Sequence, residues 1–146
     1  MTLTKKGRHW YGETSDALKA EIIRYSQKNK YEAVRFAEPA CPCGGQLFEL
    51  HSEDNEGVAG RVCTACDEQH LIGDSEEHIE GVELEQNVCL CGAEGLHLMV
   101  GVALYADSDD VRWSYIGARC PGCGMVGVFS DWKSEAGDAT AFLKNA

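Results

Sequence analysis

Cys41-Pro42-Cys43-Gly44-Gly45 and Cys63-Thr64-Ala65-Cys66, followed by Cys89-Leu90-Cys91-Gly92-Ala93 and Cys120-Pro121-Gly122-Cys123-Gly124, are the stretches that decide the fold. Each half of the chain reads CxCG and then CxxC, with nineteen residues between the inner cysteines of the first half and twenty-eight in the second. Read as a duplication, this pattern predicts two small modules, the second with the longer hairpin. Residues one apart on a strand point to opposite faces, so both sulfurs of a CxC reach one point only if the chain turns there. Pro42 and Gly44 favour that turn in the first half and Gly92 in the second. In Cys120 to Gly124 the proline fixes one dihedral, while the glycines permit positive φ and bring backbone N–H groups close to the sulfurs.

At 146 residues the chain is long enough for one ordinary domain or two small modules, and a module of that size needs staples beyond its core. Eight cysteines supply them either as four disulfides or as metal-bound thiolates. Residues 1–13 have no apolar run able to act as a secretory core, and no later stretch is apolar enough to span a bilayer. The expectation is therefore a cytoplasmic protein, in a reducing compartment where thiols favour metal over disulfide.

In these knuckles the chain resembles the zinc-ribbon, or rubredoxin-like knuckle, superfamily, whose CPxCG form Cys120 to Gly124 carries in full. The resemblance covers about residues 41–130. It implies that Cys41, Cys43, Cys63 and Cys66 bind one Zn²⁺ and that Cys89, Cys91, Cys120 and Cys123 bind another, both ions structural. Loop closure favours this sequential pairing. Cross-braced sites built from the same eight ligands, and iron in a thiolate tetrahedron, stay open as alternatives.

Working outward from the knuckles, the fold class is α+β, mainly β: two tandem zinc ribbons of antiparallel hairpins with an N-terminal amphipathic helix and a short C-terminal helix. Residues 1–37 form a basic arm, a helix and a strand; 38–73 the first ribbon; 74–87 an acidic connector; 88–146 the second ribbon with the terminal helix. Ala17, Leu18, Ile22, Ile23 and Tyr25 predict a helix from about Asp16 to Gln27 behind a hydroxyl N-cap, with Asn29 as its stop. Tyr31 to Phe36 reads as a strand. Leu96 to Leu104 and Val111 to Ala118 read as a long hairpin, with Met125 to Phe129 as a third strand matching Gln69 to Ile72. Ala136, Ala139, Phe142 and Leu143 place the terminal helix between Ser134 and Lys144.

The charge is −11 overall but unevenly spread. Residues 1–36 hold eight Lys/Arg against four acids, whereas twelve acids and no Lys or Arg fall between Arg61 and Arg112. Such a surface repels a nucleic-acid backbone and favours a basic protein as partner. Trp113 and Tyr115, beside Asp107, Asp109 and Asp110, are the expected contact, an aromatic anchor with an electrostatic rim. The chain is accordingly read as a non-catalytic, acidic interaction module, with an immunity-type inhibitor of a basic toxin or nuclease as the specific version. A nucleic-acid or transcription-associated ribbon, carried by Lys5, Lys6 and Arg8, is the alternative, and an enzyme ranks last. His9, His51, His70, His78 and His97 lie in no catalytic motif, and a site of four thiolates leaves no position for water or substrate.

Overall fold

The computed structural model describes residues 3–146, and its mainly β architecture is that expected from the sequence. The chain runs β1 (Thr4–Lys6), β2 (His9–Tyr11), α1 (Ser15–Lys28), β3 (Arg35–Ala37), β4 (Phe48–Glu53), β5 (Val58–Cys63) and β6 (Gln69–Leu71). A 3₁₀ turn at Ser75–Glu77 precedes β7 (Glu85–Asn87), β8 (His97–Leu104), β9 (Asp110–Arg119), β10 (Met125–Asp138) and α2 (Ala139–Lys144). Two antiparallel sheets result, one of six strands in the order β1-β2-β10-β9-β8-β3 and one of four in the order β6-β5-β4-β7.

Each cysteine quartet sits at the end of a three-stranded meander, β4-β5-β6 for the first and β8-β9-β10 for the second. The meanders do not stand alone. The strand leading into the first CxC knuckle, β3, pairs with β8 of the second meander, and the strand leading into the second, β7, pairs with β4 of the first. The registers agree: Ala37 faces Val100, and a shift of 48 positions, the spacing between Cys41 and Cys89, turns this pair into Glu85 facing Ser52. Phe48 and Leu96, also 48 apart, exchange both backbone hydrogen bonds at 2.9 Å each. A reciprocal contact between corresponding positions marks a local two-fold relation, as in an isologous dimer interface. One cluster of buried side chains, including Phe48, Leu50, Ala59, Leu96, Leu98, Val100, Ile116 and Trp132, joins both sheets.

The helix α1 forms where its apolar spacing requires and is capped by Thr14, whose Oγ1 accepts the Ala17 N–H at 3.2 Å. It buries Leu18 and Ile22 against Met99, Ala103, Tyr115 and Val126 on the other face of the six-stranded sheet. Gly117 makes this approach possible, because a Cβ there would lie 2.6 Å from Ile22 Cδ1 and 3.0 Å from Leu18 Cδ1. Gly117→Val is therefore expected to push α1 off its sheet and cost about 1–3 kcal/mol in a urea titration of the metal-loaded protein. An unchanged midpoint would contradict this packing.

Several boundaries differ from the sequence reading. The basic arm is a hairpin, with Lys5 and Lys6 in β1 pairing with Trp10 and His9. The strand expected over Tyr31 to Phe36 is confined to Arg35–Ala37. The acidic segment 74–87 is more than a connector, since it carries the 3₁₀ turn and supplies β7 to the four-stranded sheet. The strand after the last knuckle runs through Ser134 to Asp138, pairing onward with β9 after a register shift, so the terminal helix starts only at Ala139, capped by Asp138. No helix among the described residues is long and apolar enough to cross a membrane.

Candidate metal centres

The turns that the knuckles need are all made. Gly44 and Gly92 take φ of 91° and 95° and donate their N–H groups to the carbonyls of Cys41 and Cys89 at 2.9 and 2.8 Å. In the CxxC knuckles Asp67 and Gly124 do the same to Cys63 and Cys120, at 2.8 and 3.0 Å, with φ of 63° and 81°. Aspartate tolerates this left-handed conformation better than most residues, which lets Asp67 stand where the second knuckle has glycine.

These turns bring the sulfurs together as the resemblance implies. Cys41, Cys43, Cys63 and Cys66 form one group and Cys89, Cys91, Cys120 and Cys123 another, with all sulfurs of a group within 4.8 Å of one another. The nearest pairs are Cys41 with Cys66 at 3.5 Å and Cys43 with Cys63 at 3.6 Å, then Cys89 with Cys123 and Cys91 with Cys120, both at 3.5 Å. None of the eight is paired in a disulfide. A tetrahedron with Zn–S of ~2.3 Å has edges of about 3.8 Å, close to these separations. In each group the first cysteine of either knuckle is buried and the second exposed. Each quartet can thus hold one metal ion, and four soft thiolates in a tetrahedron suit zinc.

The electrostatics repeat from one quartet to the other. Burial raises Cys63, but N–H groups from Ala65 and Cys66 and the neighbouring thiols outweigh it and bring it down to about 7. Cys120 falls to about 7 in the same way, burial being overcome by N–H groups of Cys123 and Gly122. The N–H of Cys43 lowers Cys41, yet burial and the crowded thiols prevail and push it up to about 12. Burial, with the adjacent thiols, pushes Cys89 up to about 12. Four thiolates cannot share so small a volume unless a cation joins them. Metal binding must then displace protons, and affinity falls as pH falls, because protons compete for the same sulfurs. Zinc titrations between pH 6 and 8 in buffers of different ionisation enthalpy should show that release; a pH-independent affinity would exclude thiolate ligation.

Arg61 stands beside the first quartet. It is buried, feels Cys41, Glu68 and Cys63, donates to the Ala146 carbonyl at 3.0 and 3.3 Å, and lies 4.6 Å over the Phe48 ring. Nothing in the cysteine spacing pointed to it; an arginine two residues before a knuckle in an acidic stretch is the only signal.

The five histidines stay outside both quartets. His70 Nε2 lies 2.9 Å from the Asn145 carbonyl, His51 pairs with Glu49 at 3.2 Å, and His78 with Asp74 at 3.3 Å. The expected aromatic anchor needs correction. Tyr115 is fully buried: its hydroxyl donates to the Tyr31 carbonyl and accepts from Asn29 Nδ2, so no partner can reach it. Trp113 is half-buried, stacked on Tyr31 with ring centroids 4.9 Å apart, and its indole N–H donates to Asp131 at 2.9 Å. Both rings serve the seam between α1 and the sheet. Asp107, Asp109 and Asp110 are exposed at the hairpin turn. Comparison with protein-family models, with curated proteins and with solved structures gives no match to this chain.

Proposed function

We propose that the chain is a non-catalytic zinc-binding protein in which two structural Zn²⁺ ions hold two copies of one small β module together, displaying an acidic surface to a basic protein partner. One ion is assigned to Cys41, Cys43, Cys63 and Cys66, the other to Cys89, Cys91, Cys120 and Cys123. Four thiolates per ion leave no open position for water or substrate, which supports a structural over a catalytic role. The observation that carries the partner's class is the absence of any Lys or Arg between Arg61 and Arg112, a stretch with twelve acids. A surface of one sign steers an opposite partner and rejects like-charged ones. An immunity-type inhibitor of a basic toxin or nuclease is the specific form of this reading.

Immobilised metal-loaded protein is expected to retain basic proteins at about 50 mM salt and release them as ionic strength rises. Retention that ignores salt, or the absence of any basic protein, would refute the proposal. A second reading is favoured by the N-terminal hairpin, where Lys5 lies 5.9 Å over Trp10 and Lys6 5.4 Å over Tyr11, a basic and aromatic pairing that suits nucleic acid. A mobility shift of DNA or RNA at about 50 mM salt would select it.

A further inference from the structure

The two sheets treat corresponding faces differently. On the six-stranded sheet Met99 faces Gly117, and over that pair lie Leu18 and Ile22 of α1. On the four-stranded sheet the pair at the same place relative to the knuckles is His51 facing Gly60, and no helix covers it. Two leucines from outside the pair stand there instead: a Cβ on Gly60 would lie 3.3 Å from Leu71 Cδ2 and 3.7 Å from Leu84 Cδ1. Beside them runs a groove of about 520 Å³ whose walls include His51, Val62, Gln69, Leu71, Ile79 and Leu84. Arg61 also borders this groove, but its guanidinium is committed to Ala146 and Phe48. His70, also in the wall, is held by the Asn145 carbonyl, while the acids nearby are Glu49, which pairs with the wall residue His51, and the exposed Glu80 and Glu83, next in sequence to the wall residues Ile79 and Leu84.

We propose that this groove docks a basic amphipathic helix from a partner protein. Two aliphatic side chains one helical turn apart enter beside Gly60, as Leu18 and Ile22 sit over Gly117, and lysines or arginines on the flanks meet Glu49, Glu80 and Glu83. The chain's own α1 shows what such a sheet face accepts, and helix-in-groove recognition depends on this spacing of anchors. The acidic rim fixes the sign of the partner's flanks. The proposal rests on the reading of the chain as an acidic interaction module and names the place and shape of contact.

The probe is a labelled alanine-based peptide of about sixteen residues, with Leu and Ile four apart and lysines on the flanks, long enough to become helical when docked. Its fluorescence anisotropy is followed against the full metal-loaded protein at about 50 mM salt. Binding is expected. Val62→Lys should weaken it about tenfold or more, with Gln69→Lys at the exposed groove edge as a second variant if the first loses metal. Glu80→Lys combined with Glu83→Lys should also weaken it about tenfold, whereas Glu135→Lys, outside the groove, should not. Unchanged affinity in both groove variants overturns the proposal. Equal binding of a peptide of the same composition with its aliphatics two apart overturns the groove but leaves the acidic-surface reading standing. Failure of both peptides to bind removes both. Concentration-dependent self-association that Val62→Lys abolishes would make a second copy the occupant and likewise overturn it.

Discussion

Stripping metal from the reduced protein with an excess of a tight chelator is expected to unfold both sheets in a single transition. A structural zinc site contributes on the order of 10 kcal/mol to folding near neutral pH, comparable with the whole net stability of a domain this size. Losing either ion is then enough to tip the balance, and the fold offers no way to confine the damage. The strand leading into each CxC knuckle belongs to the opposite sheet, β3 to β8 and β7 to β4, and the Phe48–Leu96 bridge and a shared core tie the sheets together. Cys91→Ser should therefore release its own ion and also lower hydrogen-exchange protection along β4 and β5. Tandem ribbons that fold separately would leave those strands protected, the outcome the sequence alone favours. Zinc release read with a chromogenic chelator, beside circular dichroism and amide exchange, decides between them. A chelated protein that keeps its sheet signal would remove the structural role of the metal altogether.

What the sequence makes legible here is local. Knuckle turns are dictated by residues within five positions of one another, so glycine, proline and cysteine placement suffices to find both quartets. The helix Ser15–Lys28 follows from apolar spacing and a hydroxyl cap, and the hairpin of β8 and β9 from alternation. What stays hidden is pairing between distant segments. Nothing in Glu85–Asn87, an acidic and amide tripeptide, announces a strand, because its partner β4 supplies the order. Trp113 and Tyr115 illustrate the same limit from the other side. Their aromatic, acid-flanked setting is that of an exposed anchor, and only the arrival of α1 and Tyr31 on that face buries Tyr115 and stacks Trp113. Strand β10 continues past Asp131 because Trp132 and Ser134 are buried while Lys133 and Glu135 are exposed, an alternation too short to outweigh the helical spacing of the residues that follow.

Phe48→Ala is expected to cost about 3–5 kcal/mol and to weaken metal retention at the first quartet more than at the second, although Phe48 is no ligand. Three functions meet in this residue. Its ring is fully buried in the core common to both sheets, so truncation leaves a cavity where they join. Its backbone pairs with Cys63 on one side and with Leu96 on the other, linking a ligand of the first quartet to the start of the second meander. Its ring also supports the Arg61 guanidinium at 4.6 Å, and Arg61 is the buried cation whose field reaches Cys41 and Cys63. Removing the ring frees Arg61 from its cation–π seat, so a charge that offsets the excess negative charge of a four-thiolate site is less firmly held. Phe48→Leu keeps most of the apolar volume but not the ring, and should recover the larger part of the stability while retaining the metal defect. Denaturant midpoints combined with chelator competition at each site separate the two effects. If Phe48→Ala shifts the midpoint by less than about 1 kcal/mol, or loosens the two ions equally, the joint at Phe48 does not couple core and metal as described.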